Sequence, residues 1–136
     1  MTRFLLDTNI LVEILRGKDE RALSFVAQTG IRNCLMSDIS YFELLVGAEC
    51  SQYRKENLDA VHFLAERIDI LPSSPGFPLA ASEKARLRKE GTPIPDFDIL
   101  IGCTAICNDC TLVTADTRHM SRIRNLMLHN WTEEVL

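Results

Sequence analysis

The sequence predicts an α/β fold, with a central, mostly parallel sheet of four to five strands covered by helices on both faces. Short apolar runs of strand length recur along the chain, separated by segments of helical periodicity, and that alternation builds parallel sheets. The runs are apolar at consecutive rather than alternate positions, as strands buried on both faces are. The first gives way to a polar turn, Asp7-Thr8-Asn9, and the fourth is followed closely by Asp116, so polar groups collect where the strands end.

The first strand is expected over Arg3–Leu6, followed by a short helix through Ile10, Leu11, Ile14 and Leu15 that Gly17 stops. A second helix is expected from about Asp19 to Gln28, and a second strand at Cys34-Leu35-Met36. Ser37 is placed to cap a helix over Ile39–Cys50, and Tyr53–Ile68 reads as an amphipathic helix with Leu58, Val61, Leu64 and Ala65 on one face. Ile70-Leu71 forms a third strand closed by Pro72. After a loop at Ser73–Gly76 come a helix over about Pro78–Glu90 and a proline-rich connection, Gly91–Pro95. Asp96–Asp109 is apolar nearly all round, as a buried helix is. Leu112–Thr114 is the fourth strand, Asp116–Leu126 a loop with a short helix, and Met127–His129 a weak fifth strand.

At 136 residues, 46% hydrophobic and 25% charged, the chain is expected to form one domain, 1–136, with a substantial core. The apolar stretch Ile99–Cys107 is too short to span a bilayer and Met1–Leu6 lacks the features of a secretory signal, so a cytoplasmic protein is expected. Five cysteines in no scaffold-like spacing imply reduced thiols. Cys103, Cys107 and Cys110 share a helical face, but with no histidine beside them they read as small hydrophobes in a buried helix. A net charge of −4 argues against coating nucleic acid through the overall field, while leaving room for a local basic rim. Lys84, Arg86, Arg88 and Lys89 form one candidate cluster and Arg118, Arg122 and Arg124 another; ordinary solvated helix faces would look the same.

Asp7, Glu43, Asp98 and Asp116 sit where this fold would bring them to one edge of the sheet, the edge at which ligands bind. Each also has a purely structural role open to it. Asp7 could cap the first helix, and Asp116 could form an Asx turn. Glu43 shares a helical face with Ile39, Phe42 and Val46, where a carboxylate needs compensation by a cation or a salt bridge. Asp96 follows Pro95 directly and suits the helix cap, which leaves Asp98 in the first turn as the ligand candidate. Four carboxylates and little else suit a hard divalent cation, and such sites serve phosphate chemistry. His119, beside Arg118 and near Asp116, is a candidate substrate contact, whereas His62 and His129 read as surface or packing residues. No glycine-rich phosphate loop or nucleophile elbow is present. A receiver domain would need paired acids after the first strand and a lysine after the last, and a haloacid-dehalogenase phosphatase would need an acid where Asn9 stands.

Four separated motifs carry a resemblance. Leu5-Leu6-Asp7-Thr8-Asn9, then Ser40-Tyr41-Phe42-Glu43-Leu44 with Gly47-Ala48, Phe97-Asp98-Ile99-Leu100-Ile101-Gly102, and Leu112-Val113-Thr114-Ala115-Asp116-Thr117-Arg118-His119-Met120, closing near Trp131, resemble the PIN-domain ribonucleases. Within them the chain looks most like VapC-type toxins of bacterial toxin–antitoxin pairs. It departs at Met120, where the family commonly has Phe. The resemblance implies a three-layer α/β/α sandwich, a Mg2+- or Mn2+-dependent endoribonuclease leaving 5′-phosphate and 3′-hydroxyl ends, a homodimer, and a cognate antitoxin that blocks the site. It implies Asp7, Glu43, Asp98 and Asp116 as the acidic quartet that holds metal, with Asn9 and Thr114 as supporting polar residues. RNA would approach along Arg118, Arg122, Lys84 and Arg86. The helix Ile10–Leu15 is expected to form part of a groove for an antitoxin segment, with Leu11 and Leu15 as its contacts. The alternative is a catalytically idle PIN fold that binds RNA or protein.

Overall fold

A computed structural model describes residues 2–133. Its sheet has five parallel strands, β1 (Arg3–Leu6), β2 (Cys34–Ser37), β3 (Asp69–Leu71), β4 (Cys110–Val113) and β5 (Leu128–His129), in the order β3-β2-β1-β4-β5. Consecutive apolar residues in a strand point to opposite faces, and here both faces are buried. Leu5, Leu35, Cys110 and Leu112 enter one core, while Leu6, Cys34, Met36 and Val113 enter the other. Helices α1 (Thr8–Arg16), α2 (Glu20–Thr29), α3 (Asp38–Glu49) and α4 (Arg54–Ala65) supply apolar residues to the second core. Helices α5 (Phe77–Lys89), α6 (Asp96–Cys107) and α7 (Thr117–Met120) pack on the first. The result is the expected three-layer α/β/α sandwich.

Local chemistry sets the helix boundaries. Asp19 accepts the Arg21 and Ala22 N–H groups to open α2, and Ser37 accepts the Ser40 N–H to open α3. Gly17, at φ +69°, closes α1 in the left-handed conformation. The small differences from expectation lie at element ends. Helix α4 stops at Ala65, and Arg67 and Ile68 turn back onto the Leu64 carbonyl. The expected loop at Ser73–Gly76 contains a 3-10 turn, Ser74–Gly76, and β4 begins at Cys110, which places Thr114 just past its end. Asp96 does not cap α6. Pro95 occupies the cap, and Asp96 pairs instead with Lys84, with Nζ to Oδ1 at 2.7 Å.

Helix α6 is buried along Ile99 and Ile101–Ala105, as its apolar surface predicts. Gly102 lets it approach the chain after α7, since a Cβ there would lie 2.6 Å from Ile123 Cδ1. Cys103 and Cys110 are buried but Cys107 is exposed, and all five cysteines are free thiols. One ion cluster, built on a buried glutamate, ties α5 to the segment after α7. Glu83, 3% exposed, accepts from Arg86 (2.6 and 3.1 Å) and from the Arg124 backbone N–H (3.1 Å) and Nε (3.2 Å). Arg86 also donates to Glu90 and to the Arg122 carbonyl. These bonds hold the Glu83 carboxyl down to about 2. Arg86, expected to face RNA, is enclosed in this cluster instead, because its own helix presents a buried carboxylate three residues away.

Candidate metal centre

Asp7 directly follows β1, and its backbone N–H bonds the Val113 carbonyl of β4, so the ends of the two central strands meet at this residue. Its carboxylate is 4% exposed and held on both oxygens. Oδ1 accepts the Thr8 N–H at 2.8 Å, so Asp7 caps α1 as well as facing the site. Oδ2 accepts from the Thr114 hydroxyl at 2.8 Å and from Asn9 Nδ2 at 3.3 Å.

The Asn9 side chain is fixed in turn. Its Oδ1 accepts from Trp131 Nε1 at 2.9 Å and from the Ala115 N–H at 3.2 Å, which forces its amide nitrogen toward Asp7 and Thr114. The Thr114 hydroxyl completes the chain by accepting the Asp116 N–H at 3.0 Å. Trp131 is thus a supporting member that sequence reasoning noted only as a landmark. Trp131→Phe keeps an aromatic ring at this buried position, 7% exposed for Trp131, and deletes one of the two donors on Asn9. We expect an unchanged fold by circular dichroism and a loss of divalent-ion affinity of about tenfold, the scale of outer-shell changes at metal sites.

Glu43 enters from α3, half-buried, and its Oε1 accepts the Thr8 hydroxyl at 2.7 Å. Ser40, fully buried, lies 3.0 Å from that hydroxyl oxygen and can donate to it. The physical setting differs from the expected apolar stripe. Phe42 and Val46 are 52% and 44% exposed, and α3 buries Ser40, Leu44 and Ala48. The helix is apolar nearly all round, so its periodicity did not specify which side faces inward.

Asp98 lies in the first turn of α6. Asp116 opens α7, accepting the His119 N–H at Oδ1 (3.2 Å), with His119 Nδ1 2.9 Å from Oδ2. Asp116 therefore makes the cap its sequence context suggested and still faces the site. A carboxylate oxygen of Asp98, one of Asp116 and a ring nitrogen of His119 all lie within 4.8 Å of one another.

The acids repel one another. Asp98 is pushed up to about 6, first by burial and then by Asp7, Asp116 and Glu43, with His119 opposing. Asp7 is raised as well, because burial outweighs its bonds from Thr114 and Thr8. Among the described residues, no Lys or Arg pairs with any of the four acids. A half-buried anionic cluster with no Lys or Arg of its own, and a single histidine at Asp116, fits a hard divalent ion, which would be held by Asp98 and Asp116 with Asp7 and Glu43 beside them.

The pH dependence of stability follows from these shifts. Between 3.8 and about 6 the folded ion-free protein holds a proton on Asp98 that the unfolded chain has lost, so stability falls as pH rises through that window and levels above it. Glu83 acts oppositely, but its contribution is complete above 4.5. Thermal melts in chelator are therefore expected to show the midpoint falling from pH 4.5 to 6, with a smaller fall in Asp98→Asn; an equal fall in that variant would contradict the assignment.

The sequence matches the PIN domain family over residues 4–126. It is 31% identical to "Ribonuclease VapC1" of Haemophilus influenzae (strain R2866) over 132 residues, covering 96% of this chain and 98% of that protein. It is 29% identical to "tRNA(fMet)-specific endonuclease VapC" of Shigella flexneri, covering 97% and 100%. Among solved structures, the DNA-bound VapBC complex from Salmonella typhimurium contains a chain with TM-score 0.87 and 27% identity, with 96% and 99% coverage. VapBC-1 from nontypeable Haemophilus influenzae gives TM-score 0.85 at 30% identity, with 97% and 100% coverage.

Proposed function

The chain belongs to the PIN domain family, and from that premise we propose that it is an endoribonuclease, the toxin of a toxin–antitoxin pair, which inhibits translation by cutting structured RNA with the help of Mg2+ or Mn2+. The observation that carries this reading is the convergence of four carboxylates with no Lys or Arg paired to any of them among the described residues. Two relatives named as tRNA(fMet)-specific endonucleases support transfer RNA as the substrate class, with ribosomal RNA as the second choice. The complete acidic set disfavours an idle binding module.

A divalent ion bound here would supply Lewis-acid activation of water and neutralise phosphate charge. The protein's part is preorganisation. Thr114 and Asn9 fix the Asp7 carboxylate, Thr8 fixes Glu43, and the opening turn of α7 fixes Asp116. The ligands therefore need little rearrangement when an ion and a phosphodiester arrive. Arg118 is exposed on α7, without an ion-pair partner among the described residues, and is the best-placed phosphate contact. Arg122 donates to the Pro93 carbonyl, and Lys84 makes an exposed pair with Asp96 that is weak enough to exchange for phosphate. Arg86 is assigned to the Glu83 cluster rather than to RNA.

The antitoxin is proposed to dock in a groove of about 300 Å3 between α1, α3 and α4, lined by Val12, Leu15, Leu44, Ala48 and Val61 and reaching Glu43. An occupant of this groove would touch the acidic site and close it. Leu11 does not line the groove. It is fully buried in the core, so Val12 and Leu15 are the contacts α1 offers. Leu15→Glu is expected to weaken antitoxin binding by tenfold or more, since about 1.4 kcal/mol suffices, in a protein that still melts cooperatively; unchanged affinity would refute the groove.

We assign the protein to the cytoplasm, as one domain and a homodimer. No helix among the described residues is long and apolar enough to cross a membrane. Exposed Phe42 and Phe97, in edge-to-face contact at 6.1 Å, offer an apolar patch for a second copy. The functional reading is tested on purified transfer and ribosomal RNA with Mg2+, with Mn2+ and with chelator. Discrete fragments that require the ion are expected, and cutting that persists in chelator would contradict it.

A further inference from the structure

We propose that His119 is a direct ligand of the divalent ion, making a mixed nitrogen–oxygen centre that holds manganese in preference to magnesium. The inference rests on the metal reading above and deepens it, because the acidic quartet alone would form an all-oxygen site.

The geometry is close to what coordination needs. A ring nitrogen of His119, an oxygen of Asp98 and an oxygen of Asp116 lie within 4.8 Å of one another. Donors at about 2.1 Å from an octahedral ion are about 3 Å apart when adjacent and about 4.2 Å apart when opposite. The trio's 4.8 Å limit is near the larger of those separations. The His119 backbone N–H bonds Asp116 Oδ1, so the histidine stays at the site whatever its ring does. The ring's own partner is Asp116 Oδ2 at 2.9 Å, and its side chain is 41% exposed, which leaves it free to turn toward an ion. Asp116 would keep the His119 backbone N–H on Oδ1, and a bound ion would take the place of the ring at Oδ2.

The donor set then decides the metal. Carboxylates suit magnesium and manganese alike, whereas an imidazole nitrogen suits first-row transition ions, zinc, iron and nickel above all; of the two ions at issue only manganese is a transition ion, so the nitrogen tips the choice between them toward manganese. The other histidines lie elsewhere, His62 on α4 and His129 stacked on Phe25, so a nitrogen signal from a bound ion would report on His119.

The experiment is pulsed EPR of the Mn2+-loaded full chain, prepared without a histidine tag, together with Mn2+ and Mg2+ binding titrations of wild type, His119→Ala and Asp98→Asn. The expected result is a 14N coupling in wild type that is absent in His119→Ala. That variant should lose Mn2+ affinity on the order of tenfold with Mg2+ affinity nearly unchanged. Mn2+ binding that depends on Asp98 but shows no 14N coupling would overturn the proposal and leave the metal site standing, as would an equal loss of both affinities in His119→Ala. Absence of Mn2+ binding in wild type would overturn the metal reading and this proposal with it. The wild-type spectrum decides the point even if His119→Ala folds poorly.

Discussion

Asp98→Asn is expected to abolish RNA cleavage, by about 10^3-fold or more, and at the same time to make the ion-free protein more stable. Both effects come from one cause. Asp98 is half-buried beside Asp7, Asp116 and Glu43, and its charged form is disfavoured enough to lift its carboxyl to about 6. The amide keeps the shape, removes that repulsion and takes away a proposed metal ligand. After allowance for solvent screening at a partly exposed site, the stability gain is about 1 kcal/mol at neutral pH. Opposite signs for activity and stability separate a functional acid from a structural one, since function is often retained at a cost in stability. Retained cleavage would refute the ligand assignment. Lost activity with lost stability would instead show that Asp98 supports the fold.

Glu83→Ala carries the largest expected effect on stability, a loss of about 3 kcal/mol, because removing a buried carboxylate leaves the largely enclosed Arg86 without its main partner. Arg86 would keep only Glu90 and the Arg122 carbonyl, and Arg124 would lose both its side-chain and backbone acceptor. At roughly 4 °C per kcal/mol for a chain of this size, the melting midpoint should drop about 12 °C. Denaturant unfolding that places the variant within 1 kcal/mol of wild type would show that the cluster contributes little.

The sheet was legible in the sequence because its strands are buried on both faces, which leaves consecutive apolar residues at Leu5-Leu6, Leu35-Met36 and Leu112-Val113. Asp7 and Asp116 were legible because they stand at strand ends, where topology alone dictates convergence. What escaped depends on tertiary placement. The inward side of α3 could not be read from a helix apolar on nearly every side. Glu83 and Arg86 have the spacing of an ordinary surface pair, and only the arrival of Arg124 from 41 residues away reveals a buried cluster. Asp96 was expected to cap α6, but Lys84, on the neighbouring helix, pairs with it. Trp131 reaches Asn9 across 122 residues, a contact no local pattern encodes.

The central claim is that these carboxylates make a metal-dependent ribonuclease. It is tested most directly by incubating the protein, freed of antitoxin, with total bacterial RNA in Mg2+, Mn2+ or chelator, beside Asp98→Asn, and mapping the new ends by sequencing. Discrete cuts bearing 5′-phosphates that require the ion and vanish in the variant are the expected result. Cuts that persist in chelator or in Asp98→Asn, or an active ion-loaded protein that leaves all RNA intact, would contradict it.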